Sequence, residues 1–145
     1  MRENIRRLGH DECWDIVDRH RLGRLAVVEA GRATVLPVNF ARDGSVLVVR
    51  TRHGSTVASV ADGRPAVLEV DEIDEDQERG TSVIVHGRLR QIVRDDEHER
   101  VSRLGLHPWA GGEREVFVRL DVDDITGRTV PMVAMAADGL AADGG

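Results

Sequence analysis

No lysine and no tyrosine occur in this chain, and all 20 of its basic side chains are arginine. Without lysine no Schiff base can form with pyridoxal phosphate or a carbonyl substrate. A phosphate-binding loop ending in Gly-Lys-Ser/Thr is excluded for the same reason. The single cysteine, Cys13, rules out an intrachain disulfide and a thiolate zinc cluster. Apolar runs stop after a few residues, far short of the ~20 needed to cross a bilayer. Residues 1–9 are charged and lack the apolar core of a secretory signal. These absences predict a soluble, cytoplasmic protein without a membrane partner. Positive charge is also in deficit: 20 arginines face 26 acidic residues, a net charge of −6. That balance argues against nucleic acid as a partner, which needs a basic face. Arginine in place of lysine also fits a GC-rich coding sequence.

What is present is enough for one domain, since a chain of 145 residues can bury roughly 70% of its unfolded surface without staples. Asp11 is a good N-cap for a helix running to about His20, with Cys13, Trp14, Ile16 and Val17 as its apolar stripe. The period then shortens to two. Strands are predicted over 22–29 and 32–40, joined by a turn at Ala30-Gly31, then over 45–51 after the Asp43-Gly44 turn. Leu36, Val38 and Phe40 share a face of the second strand. Pro37 lies inside it and demands an edge, a bulge or a missing ladder partner.

Gly54-Ser55-Thr56 opens a short helix to about Ala61, which Asp62-Gly63 ends. Strands follow over 65–70 and 81–93, separated by an acidic stretch from Asp71 to Gly80 that reads as a solvated loop. Val83, Val85, Gly87 and Leu89 form one face of the fifth strand and His86, Arg88 and Arg90 the other. Asp95 and Asp96 can cap a short helix carrying Val101 and Leu104 and ended by Gly105. Pro108 to Gly112 reads as a loop, and the last strand spans 115 to about 122. The predicted architecture is mainly β with short helices, a six-stranded antiparallel barrel over residues 1–131, with a disordered tail over 132–145.

The histidines show no metal-ligand spacing, and the acidic stretch lacks the calcium-loop pattern. His86 is the least ordinary histidine, because it shares a face with two arginines. Cys13 reads as a buried spacer. The stretch Arg50-Thr51-Arg52-His53-Gly54-Ser55-Thr56 is the most informative, because a phosphate site needs guanidinium forks, hydroxyl donors and free backbone N–H groups. Two readings stand. Either this is such a site, or the arginines pair with the acidic stretch and Ser55 only caps a helix.

Several short segments in order carry a resemblance: Leu22-Gly23-Arg24-Leu25, Leu36-Pro37-Val38-Asn39-Phe40, Val49-Arg50-Thr51 with Gly54-Ser55, Glu69-Val70-Asp71, His107-Pro108-Trp109-Ala110, and Ile125-Thr126-Gly127-Arg128. Together, over roughly residues 8–130, the chain resembles the pyridoxamine 5'-phosphate oxidase-like FMN-binding split-barrel proteins, and among them the short bacterial members of actinobacterial type. The resemblance implies a homodimer with flavin sites between protomers. It implies that Pro37, Val38, Asn39 and Phe40 lie along the flavin ring, and that Arg50, Thr51, Ser55 and Thr56, with Arg52, hold the phosphate. Trp109 would reach the flavin of the partner subunit. Pro37 then either frees neighbouring amides for the ring or only blunts a sheet edge.

The expected activity is that of an FMN-dependent oxidoreductase acting on a small molecule, with no catalytic side chain assigned. Alternatives within the resemblance are the deazaflavin F420, with Arg88 and Arg90 near its longer tail, and a non-catalytic carrier of flavin or haem, with His86 or His107 as axial ligand. Two departures stand out. Thr56 occupies a position where many members carry lysine, and no C-terminal signature for pyridoxine phosphate is present, so oxidation of that substrate is not expected.

Overall fold

The computed structural model describes residues 5–52, 54–106 and 115–132. Six long strands close into an antiparallel ring: β2 (Leu22–Glu29), β3 (Arg32–Asp43), β4 (Val46–Arg52), β5 (Asp62–Asp74), β6 (Arg79–Gln91) and β7 (Glu115–Pro131). Their order is β7-β4-β3-β2-β5-β6, with β6 returning to pair β7. The expected six-stranded barrel is therefore present. A seventh strand that the sequence did not announce, β1 (Arg6–Arg7), adds two residues against the far end of β7. Three short helices decorate the ring: α1 (His10–Asp18), α2 (Thr56–Ser59) and α3 (Asp95–Ser102).

Period-two alternation fills the interior. Leu25, Val27, Val38, Phe40, Leu47, Val49, Leu68, Val70, Val83, Val85, Leu89, Val118 and Leu120 pack together inside the ring. Cys13, Trp14, Ile16 and Val17 of α1 join the same cluster, as their helical spacing predicted. Gly127 permits that docking: a Cβ there would sit 2.8 Å from Leu8 and 2.9 Å from the Cys13 sulfur. A smaller cluster, Val48, Ile92, Val101, Leu106 and Phe117, seats α3 on the outside of β4 and β7.

Several boundaries differ from expectation, and three of the differences have a clear local reason. The N-cap of α1 is Gly9, whose N–H donates to Glu12 Oε1 at 3.1 Å, so Asp11 lies inside the first turn. The acidic stretch is not a loop. Asp71–Asp74 completes β5, Arg79 and Gly80 open β6, and only residues 75–78 turn, because their acidic side chains lie on a solvated hairpin end. The last strand continues to Pro131 and pairs β6 from Val118 to that end. Among the described residues no helix is long and apolar enough to cross a membrane.

Candidate functional site

The seam between β3 and β4 is short. Their ladder runs from Asp43/Val46 to Phe40/Val49 and then stops, although both strands continue. Beyond that point β3 remains paired with β2 as far as Arg32/Glu29, and β4 remains paired with β7 as far as Arg52/Glu115. The two strands therefore fork, with Asn39 and Arg50 as the first residues on either lip.

Hydrogen-bond phase shows which backbone groups face the fork. Phe40 N–H donates to the Arg21 carbonyl at 2.9 Å, so the next pairs along β2–β3 alternate from there. Val38 and Leu36 bond to β2, whereas the backbone groups of Asn39, Pro37 and Val35 point away from it. Pro37 thus lacks an N–H where β2 needs none. The sequence demand for an edge position is met by half a strand rather than by a whole edge strand.

Side chains of the predicted ring-lining segment divide by face. Val38 and Phe40 are buried in the barrel, and Pro37 is exposed on the outer side. With their side chains inside the barrel and their backbone groups bonded to β2, Val38 and Phe40 offer a ligand in the fork no polar group, and within the predicted segment it is Pro37 and Asn39 whose backbone faces it. On the outer face of the same hairpin Leu22, Val28 and Val35 are 49%, 55% and 63% exposed.

The predicted phosphate residues also fall into two groups, because a strand turns successive side chains to opposite faces. Thr51 Oγ1 lies 2.8 Å from Ser55 Oγ, and Ser55 Oγ accepts from the Ala58 N–H at 3.1 Å as the N-cap of α2. Thr56 is the first residue of that helix, and its carbonyl accepts from the Ser59 hydroxyl at 2.8 Å. Arg50 and Arg52 occupy the other face. Arg52 is exposed and makes no side-chain hydrogen bond or ion pair among the described residues.

Arg50 is engaged. Its Nη2 meets Glu115 Oε2, its Nη1 donates to the Leu106 carbonyl at 2.5 Å, and its guanidinium lies 5.6 Å from the Phe117 ring centroid. Its Nε is buried without a partner among the described residues. Pairing of Arg50 with the acidic stretch, one of the two sequence readings, is not what occurs. Asp71 and Glu72 instead pair with Arg24 at 2.9 Å and Arg19 at 2.7 Å. Glu115 was missed because its placement depends on the β4–β7 register, which no local pattern displays.

One strand away from the fork, Arg24 is in register with both Pro37 and Glu69. Burial raises the Glu69 carboxyl above the usual range, the nearby Asp71 carboxyl adds to this, and the Ser82 hydroxyl at 2.9 Å opposes it. At the α1 end of the same strand, hydrogen bonding from Arg19 holds Glu72 below its usual range, with His20 at 2.8 Å adding to this.

His86 stands exposed on the outer face of β6, and Cys13 is buried with its thiol pushed up by burial. Trp109, His53 and His107 lie outside the described residues, as does the predicted tail from residue 133. Among the described residues no group of three or more His, Cys, Asp or Glu side chains is placed to hold a metal. Two clefts of about 300 and 310 Å³ border α1, and neither includes the fork segments.

The family model for pyridoxamine 5'-phosphate oxidase matches residues 9–129, the whole ring and α1. The chain belongs to the pyridoxamine 5'-phosphate oxidase family. An uncharacterised protein of Mycobacterium tuberculosis is 28% identical over 125 residues, 83% of this chain and 82% of that protein. Among solved structures of similar fold, a protein of Mycobacterium smegmatis described as FAD-binding is 29% identical. Its TM-score is 0.79, over 88% of this chain and 100% of that one. A protein of Mesorhizobium loti described as FAD-binding is 25% identical with a TM-score of 0.75, over 87% of this chain and 98% of that one.

Proposed function

We propose that this chain binds a flavin, FMN in the first instance, in the fork between β3 and β4, and uses it as a cytoplasmic oxidoreductase on a small molecule. The observation that carries the reading is the fork itself. Backbone groups of Asn39, Pro37 and Val35 face a gap whose opposite lip carries two arginines. Such a gap suits a planar heterocycle with a polar edge and an anionic tail. The flavin-binding descriptions of the two relatives support the same class of ligand.

The residues present fit the group in kind. The Asn39 and Val35 main-chain donors would meet the polar edge of the ring, Pro37 would lie against its plane, and Arg50 and Arg52 would neutralise the phosphate. Thr51 and Ser55 keep their hydroxyls together and the start of α2 in place. Many relatives rely on a lysine in the position of Thr56, and here Arg50 and Arg52 would supply that positive charge. When bound, the flavin supplies the hydride or electron transfer, while the protein fixes its orientation and tunes its potential through these hydrogen bonds.

A second copy of the chain completes the site in this reading. Leu22, Val28 and Val35 are exposed on the hairpin that forms one lip, an apolar face that a partner subunit would cover. The fork is an open lip in one protomer, as expected of a site shared between two.

Titration of the purified protein with FMN, FAD and F420, followed by flavin fluorescence and with solution mass measured alongside, tests the proposal. Tight FMN binding by a dimer is the expected outcome. Arg50→Ala should then lose most of that affinity, since a charge-assisted contact contributes about 1.5–3 kcal/mol. Failure of all three cofactors to bind sinks the flavin reading. A Soret band in the isolated protein replaces it with haem, and flavin bound without turnover of NAD(P)H or reduced F420 makes the protein a carrier.

A further inference from the structure

The ion pair at Arg50 has a feature that a purely structural bridge does not require. Glu115 is in register with Arg52, and Arg50 is in register with Phe117 two residues farther along β7. Both arginines are on the same face of β4, so one carboxylate stands directly across from one guanidinium and diagonally across from the other. Only Arg50 is engaged by it. The Arg50 and Glu115 side chains are 24% and 14% exposed, so the pair is largely withdrawn from solvent.

The donors are incompletely used. Nε and Nη2 of an arginine form one fork that a two-oxygen acceptor can span. At Arg50, Glu115 takes Nη2 through one oxygen, and the buried Nε has no partner among the described residues. A phosphate has three terminal oxygens and up to two charges. It has enough oxygens to span the Nε–Nη2 fork and to leave one over for a second cation on the same face of β4.

We infer that Glu115 is a built-in competitor: its carboxylate occupies an anion seat on Arg50, across the ladder from Arg52, and a phosphate-bearing ligand binds by displacing it. This rests on the flavin reading for the identity of the ligand, but not for the identity of the seat. Glu115 therefore sets the affinity of the site and favours doubly charged phosphates over singly charged anions. It also keeps two arginines from binding small anions indiscriminately.

The test compares wild type with Glu115→Gln and Glu115→Asp, using FMN, riboflavin (which lacks the phosphate) and inorganic pyrophosphate as ligands. The glutamine variant should bind FMN about tenfold more tightly, equivalent to about 1.4 kcal/mol, with riboflavin unchanged. The aspartate variant, one methylene shorter, should show a smaller gain. Unchanged or weaker FMN binding in both variants, with riboflavin still bound, overturns the inference and makes Glu115 a support for Arg50. If neither flavin binds any variant, the flavin reading falls by itself. Pyrophosphate then decides the seat: tighter binding to Glu115→Gln upholds it, and equal binding removes it. Should the glutamine variant fail to fold, the aspartate variant carries the same comparison.

Discussion

Two seams of the barrel have opposite characters. Between β6 and β7 the ladder runs from Arg79/Pro131 to Gln91/Val118 with a single shift at His86/Gly87. Between β3 and β4 it stops at Phe40/Val49, leaving two lips that each keep only their outer neighbour. The long seam satisfies its own backbone, so its inward side chains can be buried, branched and apolar. The short one leaves polar main chain unspent beside arginines, and that is where a ligand with complementary polarity gains most. The longest ladder and the proposed binding site thus lie on different seams of one sheet.

The largest effect expected from that division is on the long seam. A Cβ at Gly87 would sit 2.2 Å from the Asp121 carbonyl oxygen, so backbone has to move. Gly87→Ala should lose about 3 kcal/mol of stability in denaturant unfolding. Any FMN affinity of the folded fraction should remain. A loss of affinity in that fraction would mean the seams are not separable.

An intermediate effect is expected in the sheet between them, where two carboxylates on β5 respond oppositely to pH. Glu72 is held below its usual range, so its stabilisation is present above the unfolded value and is lost as pH falls through the folded one. Glu72→Gln should cost about 1 kcal/mol at pH 7 and little at pH 3. Glu69, raised by burial, has the reverse sign: its contribution is present at low pH and is lost as pH rises through its folded value. Glu69→Gln should therefore be neutral or stabilising at pH 7. Thermal melts of both variants across pH 3–8 check the crossing, and parallel profiles would contradict it.

The smallest effect belongs to the fork. Pro37 gives up no ladder bond, so Pro37→Ala should change stability by only about 0.5 kcal/mol, through the entropy of the unfolded chain. A loss several times larger would show that the residue packs against something essential on the closed side.

What the sequence made legible follows the same physics. Alternation in β2, β3 and β6 and the helical spacing of Cys13, Trp14, Ile16 and Val17 reflect burial, which is local to each residue, and these elements appear as expected. The acidic ends of β5 and the far half of β7 were not legible, because partners rather than side-chain pattern hold them extended. At the candidate site, Pro37 demanded an edge, a bulge or a missing ladder partner, and the stop of the β3–β4 ladder supplies the last of these; Arg50 to Ser55 supplied the phosphate reading on which the proposal is built. Their division over two faces follows from period-two geometry applied to residues 50–52. Glu115 was beyond reach, since its meeting with Arg50 depends on a pairing that spans the sequence between β4 and β7.

The length of β7 also bears on how the molecule comes into being. This one strand of 17 residues closes the ring against β6, flanks β4 and receives β1 from the opposite end of the chain. On the ribosome, β2 and β3 can pair as soon as they emerge, whereas Arg6 waits for Thr129. Closure is consequently a late, non-local event, of the kind that slows folding. Until it happens, the inward faces of β4 and β6 have no lid, and the nascent chain is at its most exposed to aggregation and proteases.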